Sequence, residues 1–435
     1  MAFFWKRPRA SRLAGKKLLS KQTSKIELTI PTHFRCPISL DLMKDPVTLS
    51  TGITYDRESI EKWICDGNQT CPVTNQVLTN FDQIPNHMIR RMIQDWCVEN
   101  RAHGVERIPT PRTPITSYDI MEICSKMMDS ASKGDGKKFL DLVEKINVWS
   151  KESEQNKSLI KDNGLGYVLA ASFESFSGQS FEKHQDLLKE ILLLLTWMFP
   201  LGVEGRSKLG STRSLRCMAW LLLSVDDLSL KKCCVLTLKE LISTDQIYVN
   251  PLIDIDGIAE ALINLIKVPE SHSAKRSSFS VIYHILSTEN GLNKLSSTFL
   301  ELGVVELSLE ALVEAEKGLS EMVLGVLDCI SDSKEGSERV QTHALSVPLV
   351  VKKILRVSPM ATDLCVSLLW KLCNNGDIVE ALHVGAFQKL LLMLQVNCGG
   401  ETKVKATEML KMMNQYKNKL ECFDSGHYKY LRKSY

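Results

Sequence analysis

Thiol, hydroxyl and carboxylate side chains recur at short spacings between residues 31 and 100, where two loops each contain a Cys-Pro step. The set comprises Cys36, Ser39, Thr51, Asp56, Ser59, Cys71 and Thr74. Side chains of these types can hold a metal ion, or they can hydrogen-bond one another. A closed structural zinc site takes four ligands, mostly thiolates and imidazoles, whereas this set has only two thiols and no histidine. We therefore predict no metal and no cofactor here, and hydrogen-bond networks instead.

Short elements must position these side chains. The loop around Cys36 leads into a turn at residues 44–46, and residues 47–49 read as a short strand. Residues 50–52 then form a hairpin turn before a second strand at 53–55. Asp56 is predicted to cap a helix that runs through Cys65. A second loop surrounds Cys71, and Asn86 begins a final helix.

The order of these residues resembles a RING finger that has lost its zinc. Laying the RING ligand spacing on the chain gives one site at Cys36, Ser39, Asp56 and Ser59, and a second at Thr51, Ile53, Cys71 and Thr74. An isoleucine cannot bind metal, so the resemblance implies two loops closed by hydrogen bonds. The runs I-P-x-x-F-x-C-P-I-S-L-D-L-M-x-D-P-V, G-x-T-Y-D-R-x-x-I-x-x-W, C-P-V-T and I-P-N are together similar to the U-box family.

The U-box resemblance implies a surface that recruits a ubiquitin-conjugating enzyme charged with ubiquitin. The matching positions are Ile38 and Leu40 on the first loop, Trp63 on the helix and Pro72 on the second loop. We expect them to form a shallow apolar notch that includes an exposed tryptophan; the alternative is that they are core residues. RING proteins often have a cation just after the last ligand. Here that position is Asn75, which can hydrogen-bond but lacks the charge.

Other positions that match the family are expected to be structural. Asp45 and Gly52 set turns, and Tyr55 buries its ring while its hydroxyl finds a partner. Asp56 and Arg57 are expected to pair or to cap loops. The Asn86 amide is expected to tie the second loop to the last helix. No residue is assigned a catalytic role, because a ligase of this type supplies no nucleophile.

Composition divides the chain into zones. Residues 1–30 carry eight Lys and Arg before the first acid, Glu27, which predicts a basic, disordered arm. Residues 31–105 are the U-box zone, residues 106–117 are a proline-rich linker, residues 118–420 are helical and residues 421–435 are a tail. For the arm, nuclear import, contact with anionic lipid and salt-sensitive nucleic-acid binding are left open as alternatives.

The helical zone holds a weak internal repeat. Short runs with helical periodicity begin at Gly164, Gly210, Gly257, Gly303, Ser346 and Gly385, with spacings of 46, 47, 46, 43 and 39 residues. Periods of about 40–47 residues are typical of stacked two- or three-helix units, and the runs resemble armadillo repeats. We expect each glycine to break the chain before a long third helix. An irregular helical domain is the alternative. The predicted fold is therefore mainly α, with a small α+β U-box before an α-solenoid.

The combination resembles the plant U-box/armadillo ubiquitin ligases. It implies ubiquitin transfer from a bound conjugating enzyme to a lysine of a protein substrate held on the armadillo groove. The alternative is a non-catalytic armadillo adaptor with a degenerate U-box, and homodimerisation is left open. The net charge of +3 over 435 residues points to no nucleic-acid partner, and no apolar run is long enough to span a membrane.

The 13 cysteines form no C-x-x-C pair, and many, such as Cys233 and Cys234, lie in apolar helical runs. We therefore predict free, buried thiols in a reducing compartment. The predicted location is cytoplasmic, with a nuclear or peripheral membrane fraction left open. By resemblance, the role would lie in stress or immune signalling. Substrate, ubiquitin linkage and preferred conjugating enzyme do not follow from the sequence.

Overall fold

The computed structural model describes residues 30–108, 115–178, 181–269, 271–396 and 399–417. The chain divides into two compact units, and the second begins at Ile115. The predicted basic arm, apart from Ile30, the prolines of the linker and the predicted tail lie outside the described residues. Helix α3 begins at Ser117, inside the predicted linker, because Thr116 and Asp119 form a capping box that starts it.

The first unit is a small sheet with two helices. Its elements are β1 (Pro46–Thr48), β2 (Thr54–Asp56), α1 (Arg57–Cys65), β3 (Ile84–Pro85) and α2 (His87–Glu99), with single 3-10 turns at Thr32–Phe34 and Arg101–His103. The strands pair antiparallel in the order β2-β1-β3.

The predicted strands were displaced by one residue, since β1 starts at Pro46 and β2 starts at Thr54. Strand β3 was missed altogether, because it has only two residues and one of them is a proline. A proline is tolerated there since β3 is an edge strand. The core beneath the sheet consists of Phe34, Cys36, Met43, Val47, Leu49, Tyr55, Ile60, Cys71, Leu78, Ile93 and Cys97.

The second unit is helical throughout its described residues. Its first helices are α3 (Ser117–Lys133), α4 (Gly136–Glu152), α5 (Glu154–Asp162), α6 (Leu165–Ser177), α7 (Gln185–Met198), α8 (Val203–Leu209), α9 (Thr212–Ser224) and α10 (Leu228–Thr244). The middle helices are α11 (Val249–Ile253), α12 (Ile258–Ile266), α13 (His272–Leu286), α14 (Glu289–Glu301), α15 (Val304–Glu314) and α16 (Lys317–Ile330). The last are α17 (Lys334–Thr342), α18 (Ser346–Lys353), α19 (Pro359–Asn374), α20 (Ile378–His383), α21 (Ala386–Gln395) and α22 (Gly400–Lys417), and 3-10 turns lie at Phe181–His184 and Gln246–Tyr248.

From α5 onward the helices repeat as a first, a second and a longer third helix. The third helices pack on one another in sequence: α7 on α10, α10 on α13, α13 on α16, α16 on α19 and α19 on α22. Each unit therefore buries its apolar face against its neighbours, and one continuous core runs through the stack. The predicted α-solenoid is confirmed. No helix in the described part of the chain is both long enough and apolar enough to cross a membrane.

The predicted place of the repeated glycines was wrong. Gly164, Gly257, Gly303 and Gly385 each have φ between 80° and 84°, and each stands immediately before the second helix of its unit, not the third. A left-handed residue there lets the chain turn between the first helix of a unit and the second. Gly210 has an ordinary φ. The position requires a glycine because a Cβ there would lie 2.1 Å from the ring of Tyr248.

Candidate functional site

Two loops of the first unit have the same backbone hydrogen bonds. In the first, the Cys36 amide donates to the Asp41 carbonyl (2.9 Å) and the Leu40 amide donates to the Cys36 carbonyl (2.8 Å). In the second, the Cys71 amide donates to the Gln76 carbonyl (2.8 Å) and the Asn75 amide donates to the Cys71 carbonyl (2.9 Å). The sequences C-P-I-S-L-D and C-P-V-T-N-Q thus form two copies of one turn.

The fifth residue of each loop is in the left-handed region, with φ of 61° at Leu40 and 56° at Asn75. Asparagine tolerates this conformation, since its short polar side chain can bond locally, whereas leucine does so at a cost. Leu40 is also 68% exposed. The Leu40 side chain therefore buries little apolar surface in the free protein to offset the backbone strain.

The Cys36 thiol closes the first loop from inside. It is fully buried, and its Sγ accepts from the Asp56 amide at 3.3 Å. The amides of Ser39 and Ile38 and the hydroxyl of Ser59 also donate to it. Burial raises the pKa of this thiol, but the hydrogen bonds outweigh burial and leave the pKa below its usual value.

The Cys71 thiol closes the second loop in the same way. Its Sγ accepts from the Thr51 hydroxyl at 3.3 Å and lies 3.0 Å from the Tyr55 hydroxyl. The hydroxyl and the amide of Thr74 also donate hydrogen bonds to it. Burial raises the pKa of Cys71, yet these donors bring it down to about 6. Burial and the neighbouring sulfur raise the pKa of Tyr55, so the proton between them belongs to the phenol. Ile53, the remaining RING position, is half-buried against the core.

Asp56 stands at the N-cap position of α1 but does not cap the helix, so that prediction was wrong. Its Oδ1 accepts instead from the amides of Lys44 (2.7 Å) and Asp45 (2.8 Å), which fixes the turn before β1. Burial raises the pKa of this carboxyl, and these two amides oppose the rise. Arg57 pairs with Asp45, at 2.6 Å between Nε and Oδ2, not with Asp56.

Asn86 caps α2, since its Oδ1 accepts from the Ile89 amide at 3.0 Å. Its Nδ2 donates to the hydroxyls of Thr48 and Thr54, each at 3.2 Å. Asn86 therefore ties α2 to the β1–β2 hairpin, whereas we predicted a tie to the second loop. The sequence analysis missed the two threonines, although their alternation with buried Val47 and Tyr55 was a signal that they share one sheet face.

The residues predicted to contact a conjugating enzyme lie on the two loops and on α1. Leu40 and Asn75 are exposed, while Ile38 and Pro72 are half-buried. Trp63, which we expected to be exposed, is half-buried like Ile38 and Pro72. Its ring packs against the core, and its Nε1 donates to the Thr70 carbonyl at 2.8 Å, just before the second loop. Trp63 thus holds that loop against α1. Its contact with a conjugating enzyme stays a prediction.

Two exposed apolar residues on the second loop were missed. Val73, at the position equivalent to Ile38, is 52% exposed, and Val77 is 70% exposed. The matching C-P-I and C-P-V runs were the available signal. Among the described residues, no group of three or more His, Cys, Asp or Glu side chains is placed to hold a metal ion.

Two family models match the chain. The U-box domain model matches residues 30–102, and the model of the plant U-box protein ARM repeat region matches residues 119–433. The chain belongs to the plant U-box proteins. This confirms the family and the fold class that the sequence predicted, in which a U-box precedes armadillo repeats.

Among plant U-box proteins, this chain is 47% identical to U-box domain-containing protein 21 of Arabidopsis thaliana, with 100% of both chains covered. It is 32% identical to the Arabidopsis thaliana protein named E3 ubiquitin-protein ligase PUB22, over 89% of this chain and 94% of that protein. A crystal structure of an engineered protein covers 80% of this chain and 83% of its own, at 14% identity and a TM-score of 0.50. That likeness concerns the fold alone.

Proposed function

We propose that this chain is a ubiquitin-protein ligase whose U-box binds a ubiquitin-charged conjugating enzyme and whose armadillo repeats hold the protein substrate. Family membership supports the class of activity, as does the name of the relative E3 ubiquitin-protein ligase PUB22. The observation that carries the proposed binding surface is Leu40, which is exposed and strained at the tip of a rigid loop. Strain of this kind concentrates at functional sites.

The proposed notch has a rigid frame. The first loop brings Leu40 and Ile38, and the second brings Pro72 and Asn75. Each loop is pinned from inside by a buried thiol, and the second is also pinned from outside by the bond from Trp63 to Thr70. A preorganised apolar patch loses little freedom when a partner loop inserts, which favours binding.

The reaction itself is aminolysis of a thioester. The substrate lysine amine attacks the thioester carbonyl, an amide bond forms, and the thiol of the conjugating enzyme leaves with the proton that the amine gives up. The ligase contributes geometry by holding the thioester and the amine together. Thiols such as Cys233 and Cys234 are unsuited to a covalent relay, because burial raises the pKa of each.

The repeats offer a surface for a substrate. Half-buried aromatic side chains stand on third helices of the stack, namely Trp197 on α7, Tyr283 on α13 and Trp370 on α19. Aromatic side chains at partly exposed positions are typical anchors of protein interfaces. Homodimerisation stays open, and the cytoplasmic location and the role in stress or immune signalling stay predictions.

The test is chain formation by the purified full-length protein with activating enzyme, a panel of conjugating enzymes, ubiquitin and ATP. Ile38→Ala and Leu40→Asn should each abolish or strongly reduce polyubiquitin chains. Leu40→Asn should do so without loss of stability, because asparagine relieves the left-handed strain. Val98→Ala removes a 59% exposed side chain from α2 and serves as the matched control.

If chains form with none of the conjugating enzymes in the panel, the result favours the non-catalytic adaptor. Chains that persist in both loop variants would refute the proposed contact surface while leaving the ligase activity intact.

A further inference from the structure

Five cations converge where the second helices of two neighbouring repeats end and the third helices begin. A surface pocket of about 250 Å³ there is lined by Val313, Ala315, Lys317, Lys352, Lys353, Arg356 and Val357. Lys389 lies close enough to Arg356 for their charges to interact. No carboxylate lines the pocket; the neighbouring acids in sequence, Glu314 and Glu316, are exposed.

Two of these cations are held by backbone carbonyls. Lys353 Nζ lies 3.4 Å from the Ala315 carbonyl, at the end of α15, and 3.3 Å from the Ser320 hydroxyl. Lys389 Nζ donates to the carbonyls of Lys352 (2.9 Å) and Ile354 (3.2 Å), at the end of α18. Helix ends supply only partial negative charge, so each ammonium remains a net cation.

The other three cations have no anionic partner in the described part of the second unit. Its ion pairs leave out Lys317, Lys352 and Arg356. Burial and the adjacent Lys352 lower the pKa of Lys353, and burial and Arg356 lower that of Lys389. Like charges gathered in this way repel one another, and a bound anion would remove the repulsion.

A second pocket lies beside the first, and part of its wall is strained. It has a volume of about 470 Å³, shares Arg356 and Val357 with the first pocket, and has an apolar part at Leu355, Pro359 and Val396 and a polar part at Ser358, Thr362 and Asp363. The Asp363 carboxylate accepts from the Thr402 hydroxyl at 2.7 Å. Leu355 has φ of 61° and is 41% exposed. Leu40 and Asn75, on the proposed conjugating-enzyme surface, are the other non-glycine residues with positive φ in the described chain.

We propose that this basic pocket binds the phosphate of a phosphorylated serine or threonine in an extended peptide, with a following apolar residue in the second pocket. A phosphate carries close to two negative charges and three acceptor oxygens, and a guanidinium can bind two of them at once. A carboxylate carries one charge and matches this group of cations less well. The apolar neighbour favours a peptide over free phosphate. The inference rests on the proposed role of the repeats in holding substrate.

The test is fluorescence anisotropy with the full-length protein and three fluorescein-labelled pools of short peptides. The pools have degenerate flanking positions and a fixed phosphoserine, serine or glutamate at the centre. We expect the phosphoserine pool to bind at least about tenfold more tightly than either other pool. Lys352→Glu combined with Arg356→Glu should remove that difference. Lys137→Glu combined with Lys151→Glu makes the same change of charge at two exposed positions of α4 and is the control. It should leave the difference in affinity between the peptide pools unchanged.

Equal binding of the phosphoserine and serine pools would overturn the proposal, and so would equal binding of the phosphoserine and glutamate pools. Retention of the preference in the Lys352/Arg356 variant, with wild-type circular dichroism, would also overturn it. The assay contains no conjugating enzyme, so a failed ligase assay does not affect its result. Conversely, chain formation without any phosphopeptide preference would refute this pocket alone.

Discussion

Replacing Tyr55 with phenylalanine removes one hydroxyl from the Cys71 pocket and leaves the buried ring in place. The hydroxyl lies 3.0 Å from Cys71 Sγ, and the proton belongs to the phenol, so the bond runs to a sulfur that carries negative charge near neutral pH. A hydrogen bond to a charged group contributes about 1.5–3 kcal/mol. Thr51 and Thr74 still donate to the sulfur in the variant, so we expect a loss of about 1.5–2 kcal/mol from the U-box unit.

Hydrogen exchange of the full-length protein measures this loss where it arises. The most protected amides of β1 and β2 should exchange about 10–30-fold faster in the variant, since about 1.4 kcal/mol corresponds to a factor of ten. Helices of the second unit should be unaffected. Tyr118→Phe removes a hydroxyl from a 75% exposed ring on α3 and is the control.

The same hydrogen-exchange measurement can be repeated at several pH values. The pKa of Cys71 is about 6 in the folded protein, below the ordinary thiol value of about 8.5. A depressed pKa stabilises the fold fully above the unfolded value, and that stabilisation is lost as the pH falls towards 6. The free energy of unfolding of the U-box should therefore fall between about pH 8.5 and 6, more steeply in the wild type than in Tyr55→Phe.

A variant within about 0.5 kcal/mol of the wild type, with the same pH slope, would show that the phenol does not stabilise the Cys71 thiolate. The second loop would then be held by Thr51, Thr74 and the bond from Trp63 to Thr70.

Two further predictions concern the repeats and the chemistry. A Cβ at Gly325 would lie 2.6 Å from the ring of Tyr283, so Gly325→Ala should destabilise the second unit by about 1–3 kcal/mol in thermal unfolding. A Cβ at Gly400 would meet no other atom within 4 Å, so Gly400→Ala should not destabilise the unit. Equal melting temperatures of the two variants would contradict the close contact between Gly325 and Tyr283. Cys65 is an exposed thiol at the end of α1, so Cys65→Ser should form chains at the wild-type rate; a reductant-sensitive ubiquitin adduct on Cys65 would instead indicate a covalent relay.

The sequence predicted the U-box well because its motif residues are dense and make their contacts within about 70 residues. Its errors came from competition between local and longer-range bonds. Asp56 precedes a helix, as a capping residue should, yet the amides of Lys44 and Asp45 take its carboxylate. The local pattern shows the available cap but not the turn eleven residues earlier that competes for it.

In the repeats, the sequence predicted the repeat length but not which junction between helices the glycine occupies. A spacing near 46 residues indicates stacked units whichever residue is taken as the start of the repeat. In four of the units a left-handed glycine joins the first helix to the second, which lets the chain turn there. The same spacing would fit a break before the third helix, so periodicity alone could not assign Gly257 or Gly303 to the correct junction.

Backbone strain was equally invisible in the sequence, and it marks the surfaces for which we propose partners. Nothing in the order C-P-I-S-L-D indicates that Leu40 has a positive φ; this follows from closing the loop around Cys36. The threonine and asparagine of C-P-V-T-N-Q accommodate the same turn, so leucine at the first loop is not required by the fold. A fold under no other constraint would favour asparagine or glycine there. The leucine is therefore best explained by what binds to it, which is why Leu40→Asn should separate stability from activity.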